Sequence, residues 1–348
     1  MSKRDFKPPS SLITRYCHVL CPRFINFEGI MRFVKLLKTV IGSFPPKKLV
    51  LEKSIEWAVD LQLAHGIDVV SDGEQRADMI GYFSSLPGLG NKPTGPYVKS
   101  RVEPFGDTRS FMKLHDLRFV RDYLASRGRD DVKVKVSITG PVTLGFACAC
   151  NGVDYYSGVR DVRLYSDFAS ALKPLVEEVA KTGCYVQVDE PSLSIRVMES
   201  SKAVKIVNET LRGVPASVCD EGKLIVHVCG PLTPPLFADL VNLDTPILSL
   251  AFSAPSVRKN VEAVSNQALE THGKMLGVGC VSVQASKKLD VEPFDSVVRR
   301  LKTIVDKVGR DRVAFLHPDC GLRGTGEDAL EPILETVASS AGYLCRTL

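Results

Sequence analysis

Apolar runs rich in β-branched residues recur along the chain, separated by polar stretches with helical spacing. The runs are KTVIGSF (38–44), IDVVSDGE (67–74), VKVSITGP (134–141), CYVQVDEP (184–191), LIVHVCG (224–230), PILSLAFS (246–253), MLGVGCVS (275–282) and RVAFLHPDCG (312–321). Near-continuous apolar character over a short run is what a strand covered on both faces requires. Between most runs lie stretches such as KKLVLEKSIEWAVDLQLAHG, YSDFASALKPLVEEVAKTG, VRKNVEAVSNQALETHG and FDSVVRRLKTIVDKVG. Their apolar residues recur at helical spacing and several end in glycine, as capped helices do. Eight strands alternating with helices predict right-handed βαβ units, and in this length an α/β (β/α)8 TIM barrel over 36–348. No G-x-G-x-x-G opens a helix, which argues against a doubly wound open sheet. Residues 1–35 lack a clear period and read as an N-terminal extension. The Gly- and Pro-rich stretch 84–133 reads as an elaborated loop after the second strand.

Composition narrows the function classes. Of 348 residues, 44% are hydrophobic and 24% charged, enough for a large core and against global disorder. A formal net charge of +5 with no long basic run excludes a nucleic-acid groove. No stretch approaches the ~20 apolar residues of a membrane span, and the start MSKRDFKPPSS lacks the apolar core of a signal peptide, so a cytoplasmic protein with no membrane partner is expected. In that compartment the ten cysteines are thiols or metal ligands rather than disulfides. Cys17, His18 and Cys21 sit in the extension without the second ligand pair that a zinc site there would need.

The candidate chemistry lies where each predicted strand ends. Ser43 follows Ile41 and Gly42, Asp72 and Glu74 close the second strand, Gly140 and Pro141 the third, and Asp189 and Glu190 the fourth. His227 and Cys229 end the fifth, and Cys320 follows the eighth. In a barrel these all fall on the face that carries active sites. His227 and Cys229, at i and i+2, share one strand face. With Cys320 they offer one imidazole and two thiolates, a soft set for tetrahedral Zn²⁺ with one position left open. Taken alone the H-x-C pair reads as core residues, and HPDCG at another strand end tips the balance to a metal. Adjacent Asp189 and Glu190 point to opposite faces, Asp189 inward, while Glu190 is suited to capping the following helix. Glu74 either pairs with Arg76 or, with Asp189, faces a cleft where two carboxylates suit an ammonium.

IGSFP (41–45), SDGEQRADMIGYF (71–83), ITGPVT (138–143), QVDEP (187–191), HVC (227–229) and HPDCGLR (317–323) together resemble the cobalamin-independent methionine synthase family, its catalytic C-terminal barrel, in a short single-barrel archaeal-type form. The resemblance implies a methyltransferase that makes methionine from homocysteine. It implies zinc on His227, Cys229 and Cys320, the substrate amino group on Glu74 and Asp189, and its carboxylate on Ser43 with the Ile41–Gly42 backbone.

Three positions depart from the family. Ala251 stands where a glutamate ligand is expected, Ala147 where a tryptophan stacks on folate, and Gln284 near the place of a histidine proton donor. The acceptor side is kept and the folate side is not. The expected donor is therefore a methylcobamide, free or presented by a partner protein, with methyltetrahydrofolate as the alternative. Other readings are a thiol alkyltransferase acting on coenzyme M, and a zinc- or thiol-binding protein without activity. Cys280, near the end of the seventh strand, is a candidate substitute ligand.

Overall fold

The computed structural model describes residues 26–27, 30–31 and 36–347. The reading of Cys17, His18 and Cys21 lies outside the described residues. Eight parallel strands form at the predicted places: β1 (Leu37–Lys38), β2 (Val69–Val70), β3 (Lys133–Thr139), β4 (Tyr185–Asp189), β5 (Leu224–Val228), β6 (Ile247–Ala251), β7 (Met275–Val281) and β8 (Val313–Pro318). They pair in the order β1-β8-β7-β6-β5-β4-β3-β2. A parallel bridge between Thr39 and Val69 closes the ring. The Asp68 carboxylate there accepts the Lys38 amide hydrogen at 2.9 Å.

The principal helices are α1 (Leu51–Ala64), α2 (Met112–Ser126), α3 (Pro141–Asn151), α4 (Val162–Lys181), α5 (Ser200–Leu211), α6 (Pro234–Leu240), α7 (Phe294–Val308) and α8 (Glu327–Thr347). The predicted glycine caps at Gly66, Gly183, Gly273 and Gly309 all have positive φ, a region that costs glycine nothing. Two expectations need correction. The stretch 257–273 is not one helix: Val264 is extended and Ser265 caps a new start by accepting the Ala268 amide, leaving Asn260–Ala263 and Asn266–Thr271. The insert 84–133 is not all loop: a hairpin pairs Leu89–Lys92 with Gly95–Val98, and α2 takes the place of the barrel's second helix.

Side chains alternate across each strand, and the barrel interior is layered accordingly. Its floor is apolar: Val69, Tyr185, Ile225, Ile247, Met275, Ala314 and Phe315 pack together with Leu37. Tyr185 and Phe315 meet edge to face at 5.8 Å. Two residues further along the strands the same inward positions turn polar, with Gln187, His227 and Ser249 buried. Residues facing outward, such as Val186, Val226, Leu248 and Val278, join the core beneath the helices. The floor therefore blocks one end, and the polar layer sits just below the mouth.

Candidate active site

His227, Cys229 and Cys320 converge, their ligand atoms all lying within 4.8 Å of one another. Register explains the convergence: β5 sets His227 and Cys229 on its inner face, and Cys320 follows two residues beyond the end of β8. The two sulfurs are 3.4 Å apart. The Cys320 thiol is pushed down to about 4, chiefly by its hydrogen bond to Cys229 and also by the His227 imidazole. The Cys229 thiol moves up for the converse reason and because it is buried. His227 Nδ1 meets Ser249 Oγ at 2.9 Å, whereas its Nε2 is buried with no partner. A buried ring nitrogen without a partner is costly unless a ligand supplies one. A tetrahedral zinc with bonds of about 2.0–2.3 Å sets ligand atoms roughly 3.5–3.8 Å apart. The donor set fits such an ion.

The turn that carries Cys320 is held from two sides. The Asp319 carboxylate accepts the amides of Phe252, Ser253 and Ala254, the last at 2.5 Å. The Arg323 guanidinium donates to the carbonyls of Glu74 and Ala77, each at 2.7 Å. Sequence reasoning missed this clamp, which ties the segment after β8 to that after β2.

Glu74 and Asp189 are both buried, and Asp189 sits beside His227 in the β4–β5 register. Glu74 adopts φ 50°, a left-handed conformation unusual for a residue with a Cβ, and such strain concentrates at functional sites. It does not pair with Arg76, which instead binds Asp116 through Nε at 3.0 Å and a second nitrogen at 2.6 Å. Its partner is Lys113 of α2, whose Nζ donates to Glu74 Oε1 at 2.6 Å and lies 4.0 Å from the centre of the Tyr82 ring. Nothing in the sequence pointed to Lys113, which is 39 residues away on a helix face. Asp189 Oδ1 accepts from Gln187 Nε2 at 2.6 Å. Burial pushes its carboxyl up to about 7. Lys135 Nζ donates to Gln187 Oε1 at 2.6 Å and to the Val40 carbonyl. Burial pushes that amine down to about 7.

Glu190 points away from the mouth and caps α3 rather than the helix that follows it. Its carboxylate accepts the amides of Val142 and Thr143, each at 2.9 Å, and the Thr143 hydroxyl at 2.7 Å. Gly140 is required there, because a Cβ would come within 2.2 Å of Glu190 Oε1. In the IGS segment, Ser137 Oγ and Gln187 Nε2 both donate to the Ile41 carbonyl at 2.9 Å, and Ser71 Oγ donates to that of Gly42 at 2.7 Å. The segment is thereby pinned, with the Ser43 side chain partly exposed.

Residues 36–343 match the family described as "Cobalamin-independent synthase, Catalytic domain". The chain belongs to this family. Curated relatives named methionine synthase include those of Methanothermobacter thermautotrophicus, 27% identical over 88% of this chain and all of that protein, and Methanocaldococcus jannaschii, 29% identical over 84% of this chain and 87% of that one. The B12-independent methionine synthase of Shewanella sp. W3-18-1, solved with selenomethionine, shares the fold with a TM-score of 0.68 at 18% identity, over 89% of this chain and 98% of that one. A vitamin-B12-independent methionine synthase structure from Listeria monocytogenes gives 0.69 at 16%, over 90% and 99%.

Membership makes the chain an enzyme, a methyltransferase acting on homocysteine. The positions expected to depart from the family have a visible physical form. The Ala251 methyl packs beside Cys229, so strand β6 brings no oxygen to the metal-type cluster. Cys280 lies outside that cluster, fully buried, and burial pushes its thiol up to about 12. Gln284 is exposed. Beside the mouth, Phe146, Val159, Arg160, Ile195, Arg196 and Val197 line an open cleft of about 480 Å³. Among the described residues no helix is long and apolar enough to cross a membrane.

Proposed function

We propose that this cytoplasmic protein transfers a methyl group from a methylcobamide to homocysteine, giving methionine, with zinc held by His227, Cys229 and Cys320. The observation that carries the proposal is the buried Nε2 of His227, without a hydrogen-bond partner, beside two thiols, with the buried Asp189 carboxylate on the adjacent strand. Zinc in that place supplies a Lewis acid that holds a substrate thiol as thiolate near neutral pH. Glu74 and Asp189 take the substrate ammonium. Its arrival favours the ionised form of Asp189, which burial alone disfavours. Lys113 holds Glu74 in place until then. Each trans peptide sends its N–H opposite its C=O, so with the Ile41 and Gly42 carbonyls tied down, the Gly42 and Ser43 amides and the Ser43 hydroxyl are presented to the substrate carboxylate. The sulfur lone pair forms the new S–C bond while the donor's bond to that methyl breaks, its electron pair staying with the corrinoid.

The donor assignment rests on Ala147 standing where the family's stacking tryptophan is expected. Zinc-loaded protein is expected to form methionine from methylcobalamin and homocysteine. Methionine formed from methyltetrahydrofolate and none from methylcobalamin would overturn the assignment.

A second reading has one observation in its favour. Lys113 already neutralises Glu74, so an anionic thiol such as coenzyme M meets a less acidic wall than the two carboxylates alone would give. Competition between the two thiols decides: homocysteine displaced only by large excesses of coenzyme M supports the amino-acid substrate.

A further inference from the structure

We propose that Ser249 and His317 are positioning residues that fix the tautomer of His227, so that its Nε2 presents a lone pair to the two thiols before any metal arrives. The inference rests on the metal reading above.

The hydrogen bonds carry a direction. His317 on β8 is buried, and its Nδ1 lies 2.7 Å from the Pro318 carbonyl oxygen. A carbonyl only accepts, so that nitrogen bears the hydrogen. Its Nε2 lies 2.9 Å from Ser249 Oγ on β6. His227 Nδ1 lies 2.9 Å from the same hydroxyl and 3.2 Å from the Ser249 carbonyl oxygen. That second carbonyl also calls for an N–H, so His227 donates from Nδ1. Ser249 Oγ then accepts from His227 and passes its own hydrogen to His317 Nε2. The reverse direction sets a bare Nδ1 against the Ser249 carbonyl and leaves His317 Nε2 without the Ser249 hydrogen. Backbone oxygens at both ends of the series support this direction.

The surroundings are shaped for this relay. Ser249 lies directly opposite His227 in the β5–β6 register. Gly277 on β7 makes room for the second ring, since a Cβ there would come within 2.9 Å of His317 Nε2. The rings stand edge to face, their centres 6.0 Å apart. A hydroxyl between two imidazoles has no role in filling an apolar core. It does the work that carboxylates and carbonyls do behind metal-binding histidines, setting tautomer and orientation.

The test uses the full-length chain. Zinc affinity is measured by competition with a chromophoric chelator, and the histidine tautomers of wild type by ¹⁵N NMR. Ser249→Ala is expected to weaken zinc about 10- to 100-fold, and Ser249→Thr, which keeps the hydroxyl, to restore it to within about threefold of wild type. NMR is expected to show the hydrogen of His227 on Nδ1, a readout that needs no variant to fold. Equal zinc affinity in Ser249→Ala and wild type, equal losses in the Ala and Thr variants, or a His227 hydrogen on Nε2 would each overturn the relay while leaving the metal site standing. A wild-type chain that takes up no zinc overturns the metal reading and the relay with it.

Discussion

On the wall built by β5, β6 and β8, the hydrogen-bond series ends at a ring nitrogen left with an unused lone pair. On the wall built by β2, β3, β4 and α2, the carboxylates already have partners from the chain itself. Both walls use one device, a backbone carbonyl that sets the direction of a hydrogen-bond series. From Pro318 the series runs through His317 and Ser249 to His227. From Val40 it runs through Lys135 and Gln187 to Asp189. The outcomes differ because the last group differs. An imidazole that donates from one nitrogen must bare the other, whereas a carboxylate that accepts is partly satisfied. The first wall is therefore built to gain a ligand, the second to exchange one partner for another.

Removing a donor atom from the first wall breaks the comparison most severely. Cys320→Ala is expected to lower zinc retention by more than the ~100-fold typical of supporting residues and to abolish methyl transfer, read by zinc content after dialysis and by methionine formation. On the second wall, Glu74→Gln leaves the Lys113 ammonium buried without its carboxylate, which costs about 3–5 kcal/mol. At roughly 2–4 °C per kcal/mol the melting temperature falls by about 10 °C, and homocysteine affinity falls with it. Adding Lys113→Met should recover most of the stability and none of the binding, which separates pairing from recognition.

The smallest effect concerns pH. Lys135 donates to two neutral carbonyl-type oxygens, and burial depresses its amine to about 7 from an ordinary 10.5. Between those values the unfolded chain binds the extra proton, so this group makes stability rise with pH, by at most about 1.4 kcal/mol per unit. Lys135→Met should flatten the melting temperature measured from pH 7 to 10. A profile as steep as that of the wild type would remove Lys135 from the account of the second wall.

The barrel was legible because its strands are buried on both faces and read as unbroken apolar runs. Boundaries were less so: β1 and β2 are two residues each, although their runs spanned seven and eight. The break at Val264–Ser265 was written in a serine cap within an otherwise helical spacing, and periodicity outweighed it. That His227, Cys229 and Cys320 come together could be anticipated because ligand chemistry resides in residue type. Lys113, Ser249 and Arg323 could not, because what they do depends on which strands and helices are neighbours. Glu190 shows the same limit: its type announced a cap, while only the fold could say that the helix was α3.

The apolar floor of Leu37, Tyr185, Ile247, Phe315 and their neighbours makes the barrel a room with a single doorway. If the acceptor sits deep and the carrier over it, as in the proposed function, the thiol would enter first and the finished amino acid would leave after the spent carrier. A compulsory order of traffic would then follow from a handful of side chains that never meet a reactant.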